Sequence, residues 1–149
     1  MKQADASATI EKLVDSYCAA WSAADLATRL ALLTEVWEET GIYVDPTAVC
    51  VNRNELAEHI GKVQQRYPGA KVIRTSILDH HHDLLRFSWK MILADGKSLP
   101  DGVDFGELSG SGKLRRIVGF FGPWLACRML GRPSVIFATT LVRKPSDTK

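Results

Sequence analysis

Apolar residues recur at three- and four-residue steps through the first part of the chain and at two-residue steps through most of the remainder. Ile10, Leu13, Val14, Tyr17 and Trp21 share one helical face, which predicts a helix over residues 7–24 with Ser7 or Thr9 at its start. Asp25 stands where a second, shorter helix needs an N-cap, and Leu26, Leu30 and Leu33 form that helix's own stripe. Gly41–Asp45 is rich in β-formers and stops at Pro46, which has no N–H to give a ladder, so a short strand ends there in a corner. Asn52 or Asn54 caps a third helix in which Leu56, His59, Ile60 and Val63 share a face, and Pro68-Gly69 ends it.

From Lys71 onward the period is two. Strands over residues 71–78 and 85–93 flank the turn-like His80-His81-His82-Asp83, and Asp95-Gly96 closes the second of them. Residues 103–108 and 114–121 form a hairpin across Ser109–Gly112. Helices with one strand, followed by a strand meander, make an α+β fold. Residues 134–142 (SVIFATTLV) have the composition of one more strand, and 144–149 that of a frayed end.

Composition narrows the function classes. A chain of 149 residues fits one domain that buries most of its surface without a metal or disulfide staple. With 46% apolar and 24% charged residues it is neither disordered nor membrane-embedded, and no run reaches membrane-spanning length or makes a signal peptide. The net charge of +2 is spread among acidic residues rather than gathered into a stripe, so no nucleic-acid partner is expected. Cys18, Cys50 and Cys127 are odd in number and far apart, which suggests reduced thiols and a cytoplasmic setting.

Few polar residues stand where they are costly. Asp104 alternates with Val103 and Phe105 and points to the same side as Leu108; a carboxyl on the inner face of a sheet must be paired or neutral. Asp45 is a site candidate too, although an Asp before proline also serves as a turn residue that accepts backbone N–H bonds. Tyr17 lies on the buried face of its helix, as a core aromatic or a pocket phenol. His59, on the apolar stripe of the third helix, is the best-placed neutral base. His80-His81-His82 alternates between faces and has no second cluster at ligand spacing, and Gly112-Lys113 lacks both the first glycine and the Ser or Thr of a phosphate loop. Neither a metal nor a cofactor is expected.

The element order, together with Tyr17…Asp25, Tyr43-Val44-Asp45-Pro46, Gly102-Val103-Asp104-Phe105-Gly106 and residues 116–123 (RIVGFFGP), resembles the SnoaL-like members of the nuclear transport factor 2-like superfamily. The resemblance covers residues 1–123, which would form the pocket domain, and leaves 124–149 as a C-terminal extension. It implies a cone: a curved mixed or antiparallel sheet, a cystatin-like roll, wrapped on three N-terminal helices around one apolar pocket. Leu85, Phe87, Trp89 and Met91 share one strand face, and Ile117, Gly119 and Phe121 another. With Trp21, Tyr43 and Val63 they would line that pocket. The opposite face, with Arg115, Arg116 and Phe120, would be the surface through which this superfamily often forms homodimers.

One relative matches in detail. The ketosteroid isomerase pattern has a first-helix Tyr, a general-base Asp just before Pro, and a protonated Asp on a later strand. Tyr17, Asp45 and Asp104 stand at those positions, so the resemblance implies Asp45 as base with Tyr17 and Asp104 as donors to an oxygen gaining charge. Leu33 and Ile60 replace the further tyrosines of that pattern, which removes the relay behind Tyr17. The superfamily hosts isomerases, cyclases and dehydratases as well as binding proteins without chemistry. The implied partner is a small hydrophobic carbonyl compound, and the residues leave open whether it is turned over or only held.

Overall fold

The computed structural model describes residues 2–122, so the reading of 124–149 as an extension with a further strand lies outside the described residues. Three helices come first, interleaved with two strands, and five strands complete the described chain. Helix α1 (Lys2–Ser22) buries Val14, Tyr17, Cys18 and Trp21 along one stripe. Helix α2 (Leu26–Val36) begins at Asp25, whose carboxylate accepts from the Thr28 N–H at 2.8 Å. Helix α3 (Arg53–Arg66) begins at Asn52 with a reciprocal cap: Asn52 Oδ1 accepts from the Glu55 N–H, and Glu55 reaches back to the Val51 N–H. Gly69, at φ 75°, turns the chain out of this helix.

The strands are β1 (Trp37–Asp45), β2 (Ala48–Cys50), β3 (Lys71–Arg74), β4 (Asp79–His81), β5 (Leu84–Ile92), β6 (Gly102–Leu108) and β7 (Leu114–Phe121). They form one sheet in the order β2-β1-β7-β6-β5-β3, with β4 also paired to β5. Among the described strands only β1 and β7 run parallel, and the other pairings are antiparallel. The strand expected over 71–78 is shorter: β3 ends at Arg74, and the next strand, β4, begins only at Asp79. At the break the Ser76 hydroxyl, rather than a backbone carbonyl, accepts the Ser88 N–H, and the ladder to β5 stops. His80 and His81 belong to β4, and the turn is reduced to His82-Asp83, with His82 at φ 53°.

Two irregularities bend the sheet. The β1–β7 pairing slips between Trp37 and Ile42. In the β6–β7 pairing Glu107 faces Arg116 and Leu108 faces Leu114, so Arg115 is an extra residue and both arginines reach solvent. The concave face packs on the helices, with Val14, Leu33, Trp37, Leu56, Ile60, Leu114 and Ile117 fully buried. One buried cation joins the helices: Arg29 donates to the carbonyls of Ala23, Ala24 and Ala57, fastening the α1–α2 turn to α3. No helix among the described residues is long and apolar enough to cross a membrane.

Candidate active site

Between the helices and the wide end of the curved sheet lies a cavity of about 610 Å³. Tyr17, Cys18 and Trp21 from α1, His59 and Val63 from α3, Tyr43 and Asp45 from β1, Phe87, Trp89 and Met91 from β5, and Asp104 from β6 line it. Exposed Thr47, Lys62, Arg66, Pro100 and Phe121 stand at its mouth. All four residues singled out as catalytic therefore meet in one cavity. Of the ten expected to line it, Trp21, Tyr43, Val63, Phe87, Trp89, Met91 and Phe121 do so. Leu85 and Ile117 instead close over Gly106 in the solid core, where a Cβ would come within 2.7 and 2.8 Å of them. Gly119, also expected there, is not among the lining residues but lies behind the polar ones: a Cβ on it would stand 2.9 Å from Asp104 Oδ1, 3.6 Å from Asp45 Cβ and 3.7 Å from the Tyr43 hydroxyl.

Asp45 is held from several sides. Its Oδ1 accepts from the Thr47 N–H at 2.6 Å, the Thr47 hydroxyl at 2.8 Å and the Ala48 N–H at 2.8 Å, closing the turn into β2. Its Oδ2 accepts from the Tyr43 hydroxyl at 2.8 Å and lies 3.6 Å from His59 Nε2. Burial alone would raise this carboxyl, but the His59, Thr47 and Tyr43 contacts outweigh it and hold the group well below the usual carboxylate range. Asp45 is thus a fixed negative charge and a weak proton acceptor. His59 leans on that charge, with its ring edge-to-face to Trp21 at 5.8 Å and tilted against Tyr43 at 5.9 Å.

Asp104 has the opposite character. It is only 4% exposed, and burial pushes its carboxyl up to about 7; the Trp89 indole opposes this and the nearby Asp45 charge adds to it. The indole is aimed by a pairing between strands. Trp89 faces Gly102 across β5–β6, and its ring occupies the space a Cβ of Gly102 would need, which brings Nε1 to 2.7 Å from Asp104 Oδ1. Tyr17, stacked on Trp37 at 5.8 Å, has a buried hydroxyl with no hydrogen-bond partner among the described residues. Burial and the nearby Asp104 raise its phenol well above the ordinary value, so it remains a neutral donor. Burial likewise pushes the Cys18 thiol up to about 12 and leaves it unreactive.

The cavity thus sets an imidazole backed by a fixed carboxylate beside a neutral phenol and an easily protonated acid, among aromatic walls. Such a set can remove a proton from carbon and donate hydrogen bonds to the oxygen that gains charge. Among the described residues no group of three or more His, Cys, Asp or Glu is arranged to hold a metal ion. Sequence reasoning missed Thr47, Cys18, Lys62, Arg66, Tyr67, Val72, Leu99 and Pro100. The two cations were legible in principle, because they come three and seven residues after His59 on a single helix.

Neither a family model nor a curated protein matches the chain. Solved structures do. A candidate isomerase of the SnoaL-like family from Agrobacterium tumefaciens is 30% identical, with 75% of this chain and 96% of its own covered and a TM-score of 0.71. A protein with a cystatin-like fold from Methylobium petroleophilum is 18% identical over 93% of this chain and 97% of its own, with a TM-score of 0.64. A nuclear transport factor 2-like protein from Exiguobacterium is 17% identical over 72% and 95%, with a TM-score of 0.57. The last two likenesses concern the fold alone.

Proposed function

Because this chain belongs to the SnoaL-like family of the nuclear transport factor 2-like superfamily, we propose that its cavity binds a small, largely apolar carbonyl compound and moves a proton on it. The observation that carries this reading is the pairing of His59 with an ionised Asp45 in the same largely apolar cavity as Asp104 and the Tyr17 hydroxyl, which has no partner among the described residues. His59 takes a proton from the carbon next to the carbonyl, and the imidazolium so formed faces Asp45. The electron pair moves onto the carbonyl oxygen, where Tyr17 and protonated Asp104 donate hydrogen bonds to it. Return of the proton to another carbon, loss of a leaving group or ring closure would then give an isomerase, dehydratase or cyclase outcome. The basic role that the resemblance gave to Asp45 passes to His59, since the bonds that close the β1–β2 turn make Asp45 a poor acceptor.

A second reading has its own support. No hydrogen bond joins His59 to Asp45 at 3.6 Å, and Asp45 is fully used by its turn and by Tyr43. The same groups then only orient a ligand, and the protein is a binding or dimeric interaction module. Under either reading we place a homodimer interface on the convex sheet face, where Phe120 is 57% and Ile42 41% exposed and Phe120 meets Phe105 edge-on. The described cysteines, Cys18 and Cys50, are free thiols, which supports a cytoplasmic setting.

A thermal-shift screen of hydrophobic ketones, enones and polyketide-like compounds tests the proposal, because a ligand that binds only the native state raises its stability. Several such compounds are expected to raise Tm, and any turnover is expected to disappear in Asp45→Asn while binding persists. Binding with no turnover of any hit supports the second reading. No shift from any of them contradicts both.

A further inference from the structure

His59, Lys62, Val63 and Arg66 succeed one another along a single face of α3 and all line the cavity. His59 is largely buried, whereas Lys62 and Arg66 are exposed at the mouth. Neither cation makes an ion pair with a described residue, unlike Arg74 with Asp15, Arg86 with Asp79 and Arg115 with Glu107. Arg66 lies over the Tyr67 ring, its guanidinium carbon 5.5 Å from the centroid. The walls between rim and His59 are apolar, with Val63, Val72, Met91 and Leu99 among them.

We propose that the compound taken by this cavity carries a carboxylate-class anion at the end remote from its carbonyl, and that Lys62 and Arg66 receive it. This rests on the carbonyl-binding reading and sets the substrate class within it: an apolar body with a ketone at the deep end and a negative charge at the shallow end. Helical rise sets the scale of that separation. Seven residues from His59 to Arg66 advance about 10 Å along the axis. Two cations at a rim, each partly screened by solvent, favour an anion over its neutral ester by roughly tenfold together, and salt weakens the preference. A guanidinium and an ammonium on one helix face suit an oxyanion with several acceptor atoms.

The test compares a phenyl keto acid, whose carboxylate lies about 10 Å from its ketone carbon, with its methyl ester. Binding of each to the full chain is measured calorimetrically at low and high salt. The acid is expected to bind roughly tenfold more tightly than the ester at low salt, with the gap narrowing as salt rises. In a Lys62→Gln/Arg66→Gln double variant the acid should lose its advantage and bind no more tightly than the ester. Both positions are exposed, so the variant is expected to fold, and an unchanged urea midpoint confirms it. Equal binding of acid and ester to the unaltered protein, or a preference for the acid that survives in the double variant, overturns the proposal and leaves the carbonyl-binding reading standing. Binding of neither compound to a folded protein overturns both.

Discussion

Two aspartates a few ångströms apart have opposite ionisation because of what donates to them. Asp45 sits where N–H and O–H groups converge, and Asp104 sits among aromatic rings with one indole donor. Their pH signatures therefore have opposite sign and separate windows. The Asp45 carboxyl is lower folded than unfolded, so its contribution to stability is present above the unfolded value near 4 and is lost as pH falls below it. The Asp104 carboxyl is raised to about 7, so between roughly pH 4 and 7 the folded chain keeps a proton that the unfolded chain has lost, and stability declines as pH rises through that window. Urea unfolding from pH 4 to 8 should show a decline on the order of a few kcal/mol in the native protein and a flat profile in Asp104→Asn. Parallel profiles would contradict the assignment. Both aspartates were legible in the sequence, Asp104 from alternation and Asp45 from its proline. The grip of Trp89 on Asp104 was not, because it depends on a bare Gly102 in a neighbouring strand.

At the scale of elements, the local signals for helices were strong. Asp25 and Asn52 cap α2 and α3, and Pro68-Gly69 comes just after the last turn of α3. Strand ends were harder to read because pairing decides them. The break after Arg74 depends on Ser76 and Ser88, which lie far apart in the chain, and the first half of β1 has no alternation because its pairing with β7 slips. Nor did periodicity mark Arg29, a charged residue within a leucine-rich helix. Its guanidinium satisfies three carbonyls at the α1–α2 turn and in α3, and Gly61 leaves room for it. Arg29→Met leaves those carbonyls unpaired and should cost about 2–4 kcal/mol, seen as a lower urea midpoint at unchanged slope. A second element-level prediction concerns the strand behind the cavity's polar groups. Gly119→Ala pushes against the Asp104 carboxyl and should destabilise by about 1–3 kcal/mol, with weaker binding of any ligand found in the screen. An alanine variant as stable as the native protein would show that the two strands yield there.

At the scale of the whole molecule, the sheet does two jobs with its two faces. The concave face, bent at the β1 slip and the Arg115 bulge, makes the cavity, while the convex face leaves Phe120 and Ile42 in solvent. If the convex face joins two copies, light scattering should give a dimer mass for the native protein and a monomer mass for Phe120→Glu with its cavity binding intact; a monomeric native protein would remove that role. The overall architecture could be read from element order because α+β layering comes from pattern alone, whereas the depth of the cavity could not: Leu85 and Ile117 share a face with its lining yet sit beyond its end. The central claim is that His59 moves a proton on a bound carbonyl compound. The direct measurement is deuterium uptake from heavy water at the carbon next to the carbonyl of a ketone that binds. The native protein should exchange that position well above the buffer rate, and His59→Gln, binding equally, should slow it by about a hundredfold or more. Exchange no faster than buffer, or an equal rate in His59→Gln, would contradict that claim.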